Sequence, residues 1–181
     1  MTSAVETPAG STFALDPIHS TVSFSVTAMG VSVSRAGFAK IGGELRLAGD
    51  QATLEASVVV DSISIREPAE FRAHVLGSDF FAADRHPEAS FESDPFEVSD
   101  GEISITGRLT IRGTTHAVQG TGRWSGVLAE PSGKERRHLT LSGVVDRHEF
   151  GMTWNMQLPN GESHLGDVVN VEAELGFVTN A

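Results

Sequence analysis

Seven histidines, His19, His74, His86, His116, His138, His148 and His164, are the side chains of this 181-residue chain best suited to hold a metal or move a proton near neutral pH. None falls in HxH, HExxH or a His-carboxylate spacing of a recognised site, so the pattern points to surface or hydrogen-bonded structural histidines. Asp146-Arg147 and the early Asp16 are expected to form a structural ion pair at one end of the fold. There is no cysteine, which removes disulfides, thiolate ligands and a Cys nucleophile together. No Ser lies in GxSxG, and no glycine-rich loop precedes a helix as a phosphate cradle requires. What the chain offers instead is apolar: Phe24, Phe38, Phe80, Phe81, Phe91, Trp124, Phe150 and Trp154. Such a set either forms a core or lines a hydrophobic pocket, and both readings stand at this point.

The elements that must position these residues are strands. Gly101–Gly113 places Ile103, Ile105, Gly107, Leu109 and Ile111 on one face and polar residues on the other, the period-two signature of a long half-buried strand. About ten such residues span roughly 33 Å, the length of a barrel stave. Gly107, in the middle of the dry face, predicts a bend or a close approach. Ser20–Ala28 alternates around Val22, Phe24 and Val26, and Ala52–Ile65 alternates until its phase shifts after Asp61. Arg35–Leu47 alternates with Phe38 out of phase, which predicts a bulge near Gly37 or Gly42-Gly43. Thr115–Leu128, His138–Val145 and Val169–Phe177 read as strands, and Asp146–Gly166 as a strand leading into a loop. Pro68 and Gly77 bracket one short helix with Phe71, Val75 and Leu76 on its apolar side. About eight strands joined by short polar connections predict an all-β fold, an antiparallel meander closed into a barrel. Inward glycines at 37, 43, 107, 120, 122 and 126 either open a cavity or only relieve strand coiling.

Residues 1–11 read as a flexible N-terminal arm and residues 12–181 as a single barrel domain. The chain carries 24 acidic against 13 basic residues, a net charge of −11, which disfavours nucleic acid and stable attachment to anionic membranes. The N-terminus has neither a basic n-region nor an apolar h-region, so a soluble, cytoplasmic protein is expected.

Several spaced motifs carry a family resemblance: Leu15-Asp16-Pro17-Ile18-His19-Ser20, Ser78-Asp79-Phe80-Phe81, His86-Pro87, Gly107–Gly113, Asp146-Arg147 with Phe150-Gly151, and Gly166-Asp167-Val168-Val169. In order and spacing they resemble the YceI-like, lipid- or polyisoprenoid-binding family over roughly Phe13–Val178. The resemblance implies an extended lipocalin-like antiparallel β-barrel with a helix packed across it, holding a long isoprenoid or a quinone tail. There are two departures from the family pattern: Ala28 stands where a histidine is usual, and Arg72-Ala73-His74-Val75 replaces an Arg-Asp-His-Leu sequence.

The function expected is noncatalytic transport or storage of a long apolar lipid, with no cofactor and no metal. Its lining would comprise Phe24, Val26, Phe38, Ile65, Phe80, Phe81, Phe91, Leu109, Ile111, Trp124, Phe150 and Trp154, with Arg72, His74 and Arg112 near a polar headgroup. The partner is an amphiphilic isoprenoid, and assembly as a homodimer is allowed. The alternative is an enzyme acting on a small apolar substrate in the cavity through His and Asp, recognisable by a His and a carboxylate meeting inside it.

Overall fold

The computed structural model describes residues 10–99 and 101–179. Among them the chain begins with β1 (Ser11–Leu15), β2 (Thr21–Ala28), β3 (Ser32–Phe38), β4 (Ile41–Ala48) and β5 (Gln51–Val59). One helix, α1 (Ala69–Leu76), precedes β6 (Glu88–Ser93) and the two-residue β7 (Phe96–Glu97). The long strands β8 (Gly101–Ile111), β9 (Thr114–Ala129), β10 (Glu135–Asp146) and β11 (Leu165–Thr179) complete the sheet. All pairings are antiparallel, in the order β1-β4-β5-β6-β8-β9-β10-β11, and β1 pairs back onto β11 through Phe13↔Thr179 and Leu15↔Phe177. The sheet is a closed eight-staved barrel. β2 continues the β1 stave and β3 the β4 stave, so the short strands are two long staves each broken once.

Each break explains a phase shift in the sequence. Ala36 and Phe38 turn inward from β3, whereas Leu45 and Leu47 turn inward from β4, and Ala39-Lys40 absorbs the one-residue slip between them. The expected bulge at Gly37 or Gly42-Gly43 is therefore an interruption two residues after Gly37. A 3-10 turn at Val60–Ser62 likewise carries the chain from the Leu54–Val58 phase to buried Ile63. Asp146–Gly166 is not a strand: it holds a 3-10 turn at Arg147–Phe150 and then a loop with one isolated bridge, Gln157↔Ser163. Of the arm expected over residues 1–11, residues 1–9 lie outside the described residues, and Ser11 belongs to β1.

Side chains fill one half of the bore and leave the other open. At the end where β8 begins and β1 starts, Phe13, Leu45, Leu54, Leu139, Leu175 and Phe177 are fully buried. This packed half is a floor. Glycine lets the staves cross tightly there: a Cβ at Gly122 would collide with the Thr140 carbonyl, and one at Gly107 would meet the Phe91 ring at 2.8 Å. At the other end β8 turns into β9 through Arg112 and Gly113, both at positive φ, as a two-residue hairpin of this hand demands.

Asp16 fastens the floor from outside. Its carboxylate accepts from Ile18 N at 3.0 Å and lies 2.7 Å from the Arg136 guanidinium and 2.8 Å from His19 Nδ1. Arg136 first, then His19, hold its carboxyl at about 2, below its ordinary 3.8. The folded-state value is the lower one, so the stabilisation is fully present above about pH 4 and disappears as pH falls through about 2. At this partly solvated site its size is on the order of 1–2 kcal/mol. Asp16→Asn is expected to melt lower than wild type at pH 5 and to lose less further stability between pH 4 and pH 2.5. Parallel thermal denaturation curves across that range would refute the assignment.

Candidate functional site

Above the floor lies a cavity of about 580 Å³, within the range of small-molecule sites. Leu54, Ile105 and Leu175 form its base, belonging at once to the packed core and to the cavity wall. Its sides come from the inward positions of the staves: Val22, Phe24 and Val26 from β2, Leu109 and Ile111 from β8, and Val169, Val171 and Ala173 from β11. No carboxylate is present among the described residues that line it. One flank is not strand at all. Beyond β3 the wall continues as Ile63–Ile65 and α1, clipped on by Ser64 N to Gly37 O at 2.8 Å and by Gly37 N to Ser64 Oγ at 2.9 Å. Val75 packs there with Ala36 and Ile63, and Phe24, Phe38 and Phe81 form a ring triad with centroids 5.9 to 6.0 Å apart.

Eleven of the twelve expected lining residues border this space: Phe24, Val26, Phe38, Ile65, Phe80, Phe81, Phe91, Leu109, Ile111, Phe150 and Trp154. Trp124 does not. It is buried in the floor beside Ile103 and Leu139, because its inward phase on β9 occurs at the closed end. Phe91 lies on β6 and pairs with Leu109 of β8.

The three residues expected near a headgroup divide. His74 lines the cavity mouth, edge-on to Trp154 at 4.7 Å and Phe80 at 5.1 Å, and its Nε2 meets Asp79 Oδ2 at 3.1 Å. Arg72 and Arg112 do not border the cavity. Arg72 donates to the carbonyls of Asp61 (2.6 Å), Ile65 (2.9 Å) and Ile63 (3.3 Å), fastening α1 to the segment that replaces a stave. Arg112 donates to Ser78 O at 2.6 Å and to Gly151 O, tying the β8–β9 turn to the two loops at the mouth. Both cations serve as clips.

Arg147 serves a different role from the expected ion pair with Asp16. It lies at the opposite end of β10 from Arg136 and does not meet Asp16, so the expected ion pair is absent; Asp16 pairs with Arg136 instead. Only 3% of Arg147 is exposed. Its guanidinium donates to Met152 O (2.6 Å), Trp154 O (2.8 Å), Gly166 O (2.8 Å) and Leu165 O (3.4 Å), with Asp167 Oδ1 at 3.6 Å. Burial draws its pKa below the usual arginine value, and Asp167 and Asp146 oppose that. One side chain thus holds the loop after the 3-10 turn against the start of β11, at the rim. The available signal is a cation next to an Asp that caps its turn, with an uncharged run that begins at Phe150.

Among the described residues no group of three His, Asp or Glu side chains could hold a metal ion, and no helix is long and apolar enough to cross a membrane. The model of the YceI-like domain matches residues 13–177, nearly the whole described chain. The chain belongs to the YceI-like family. UPF0312 proteins of Staphylococcus epidermidis and Staphylococcus aureus are each 28% identical to it over 170 residues, covering 91% of this chain and 96% of theirs. The fold is shared with solved structures at lower identity. Burkholderia cenocepacia BcnA superposes with a TM-score of 0.72 at 20% identity, over 90% of this chain and 98% of that one. A polyisoprenoid binding domain from Saccharophagus degradans gives a TM-score of 0.64 at 13% identity, over 93% and 98%. Within this YceI-like barrel both departures from the family pattern are at the mouth or beside it. Ala28 is buried against the cavity opposite Leu165, and Ala73 is on the exposed side of α1.

Proposed function

We propose that this YceI-like protein is a noncatalytic carrier or store for a long isoprenoid tail, that of a polyprenyl lipid or an isoprenoid quinone. The observation that carries the reading is the cavity: about 580 Å³, floored by Leu54, Ile105 and Leu175, walled by aromatic and branched side chains, and without a carboxylate among its described lining residues. A flexible apolar tail gains about 25 cal/mol for each Å² it removes from water, without any reactive group being needed. It enters tail first. The polar side chains near the mouth, His74 and His164, then lie where a headgroup stops. The shared fold with the polyisoprenoid binding domain of Saccharophagus degradans supports the same ligand class.

The enzyme reading has one observation behind it, the His74–Asp79 contact at 3.1 Å. Asp79, however, faces outward and does not border the cavity, so the pair presents no carboxylate to a bound substrate. Mass spectrometry of an organic extract of natively purified protein, beside the native mass of the intact complex, tests the carrier reading. A stoichiometric isoprenoid is expected. An empty extract together with no uptake of a geranylgeranyl probe by the purified protein would overturn it.

A further inference from the structure

The two longest stretches of this acidic chain without Asp, Glu, Lys or Arg run from 17 to 34 and from 150 to 161. Charged residues make up 20% of the sequence, and these 30 positions would carry about six at that rate. The fold brings the two stretches together. The first runs from the 3-10 turn at Pro17–His19 along β2 to the Met29–Val31 turn and the start of β3; the second is the loop after the 3-10 turn at Arg147–Phe150. They are joined at the rim through the residues that follow the second stretch: Met29 N donates to His164 O at 2.6 Å, His164 N donates to Met156 O at 2.8 Å, and Ala28 pairs with Leu165, with the Glu162 carboxylate as the charge beside Gly30. There the surface is greasy. Val31 is 87% exposed, Met29 50% and Met156 51%, with half-exposed Phe71 of α1 on the mouth beside them. Solvent-facing apolar side chains on uncharged loops, continuous with the opening of an apolar cavity, are the makings of a surface that lies in a lipid interface.

We propose that the mouth docks on a zwitterionic lipid bilayer, with Val31, Met29 and Met156 entering the headgroup boundary so that cargo passes between bilayer and cavity without crossing water. The proposal deepens the carrier reading and rests on it. A net charge of −11 selects a zwitterionic over an anionic surface, and attachment by so few side chains is transient. Ile18, 86% exposed on the floor end, supplies an internal control: it is equally apolar and exposed, but far from the mouth.

Vesicles of brominated phosphatidylcholine quench a tryptophan that approaches the acyl chains, and Trp154 is at the mouth whereas Trp124 is buried in the floor. Titrating the full protein with these vesicles should quench its emission, and the Val31→Asp/Met156→Asp variant should need more than ten times as much lipid for the same quenching. Ile18→Asp should match wild type. In parallel, the rate at which the protein extracts a geranylgeranyl fluorophore from phosphatidylcholine vesicles should drop at least tenfold in the double variant, while its Kd for the free fluorophore stays unchanged. Equal quenching and extraction by the double variant, or an equal loss in Ile18→Asp, would overturn docking while leaving the carrier reading intact. A rim-dependent dimer that forms without lipid and abolishes quenching would overturn it too. Mouth-dependent quenching in a protein that takes up no fluorophore would support docking and sink the carrier reading.

Discussion

Leu109→Asp is expected to fold and to lose its prenyl ligand, with Kd for a geranylgeranyl fluorophore rising at least a hundredfold. Leu109 lies on β8 beside Phe91 of β6 and His116 of β9, facing the cavity rather than the packed floor. A carboxylate at this position points into the cavity rather than into the packed floor, so the chain should still fold. A tail that enters closes apolar surface over it and leaves a charge without a partner. Burying an uncompensated charge costs several kcal/mol, and each 1.4 kcal/mol is a factor of ten in affinity. Leu109→Met conserves volume and apolarity and should stay within about tenfold of wild type. Fluorescence titration of both variants, with circular dichroism as the check on folding, measures the difference. A folded Leu109→Asp protein that binds as wild type does would show that the tail does not occupy this cavity.

The second large effect is on stability. Arg147→Met should lower the free energy of unfolding by roughly 3–5 kcal/mol, since several main-chain carbonyls lose their donor at once and each buried unsatisfied group costs about 1–3 kcal/mol. Methionine fills much of the volume but donates nothing. Arg147→Lys should recover only part of the loss, because an ammonium cannot fan out to carbonyls of both Met152–Trp154 and Leu165–Gly166. Urea unfolding gives the magnitude, and amide exchange gives the place: protection around residues 151–166 should fall before that of β8 and β9. A Met variant within 1 kcal/mol of wild type would contradict the role assigned to Arg147.

How far this was legible in the sequence varies with how local the cause is. β8 could be read because its eleven residues alternate without interruption, and α1 because Pro68 and Gly77 mark its ends. The barrel followed from counting such segments, and the spaced motifs named the family. β1 is only five residues long and follows the arm, and β6 offers little more than Ala89 and Phe91 after Pro87, too few positions for a period to emerge. Trp124 shows a different limit. Alternation tells which face of a stave a side chain occupies, but not whether that height along the bore is packed or open. Arg72, Arg112 and Arg147 show a third. Their acceptors are carbonyls as far as 39 residues away, and carbonyls leave no mark on a sequence. A cation near a mouth therefore reads as a headgroup contact until its neighbours are known.

If the barrel carries an isoprenoid tail as proposed, its floor decides which cargo suits the cup. Because Leu54, Ile105 and Leu175 are fixed by the rigid core beneath them, the distance from base to rim acts as a ruler for whatever is lowered in. A tail shorter than that distance leaves part of the wall wet, and each added isoprene unit is rewarded only until the terminal methyls touch the base. A longer tail keeps its excess outside, against the rim. On the carrier reading, length discrimination would therefore reside in three side chains at the bottom, and trimming one of them would lengthen the scale.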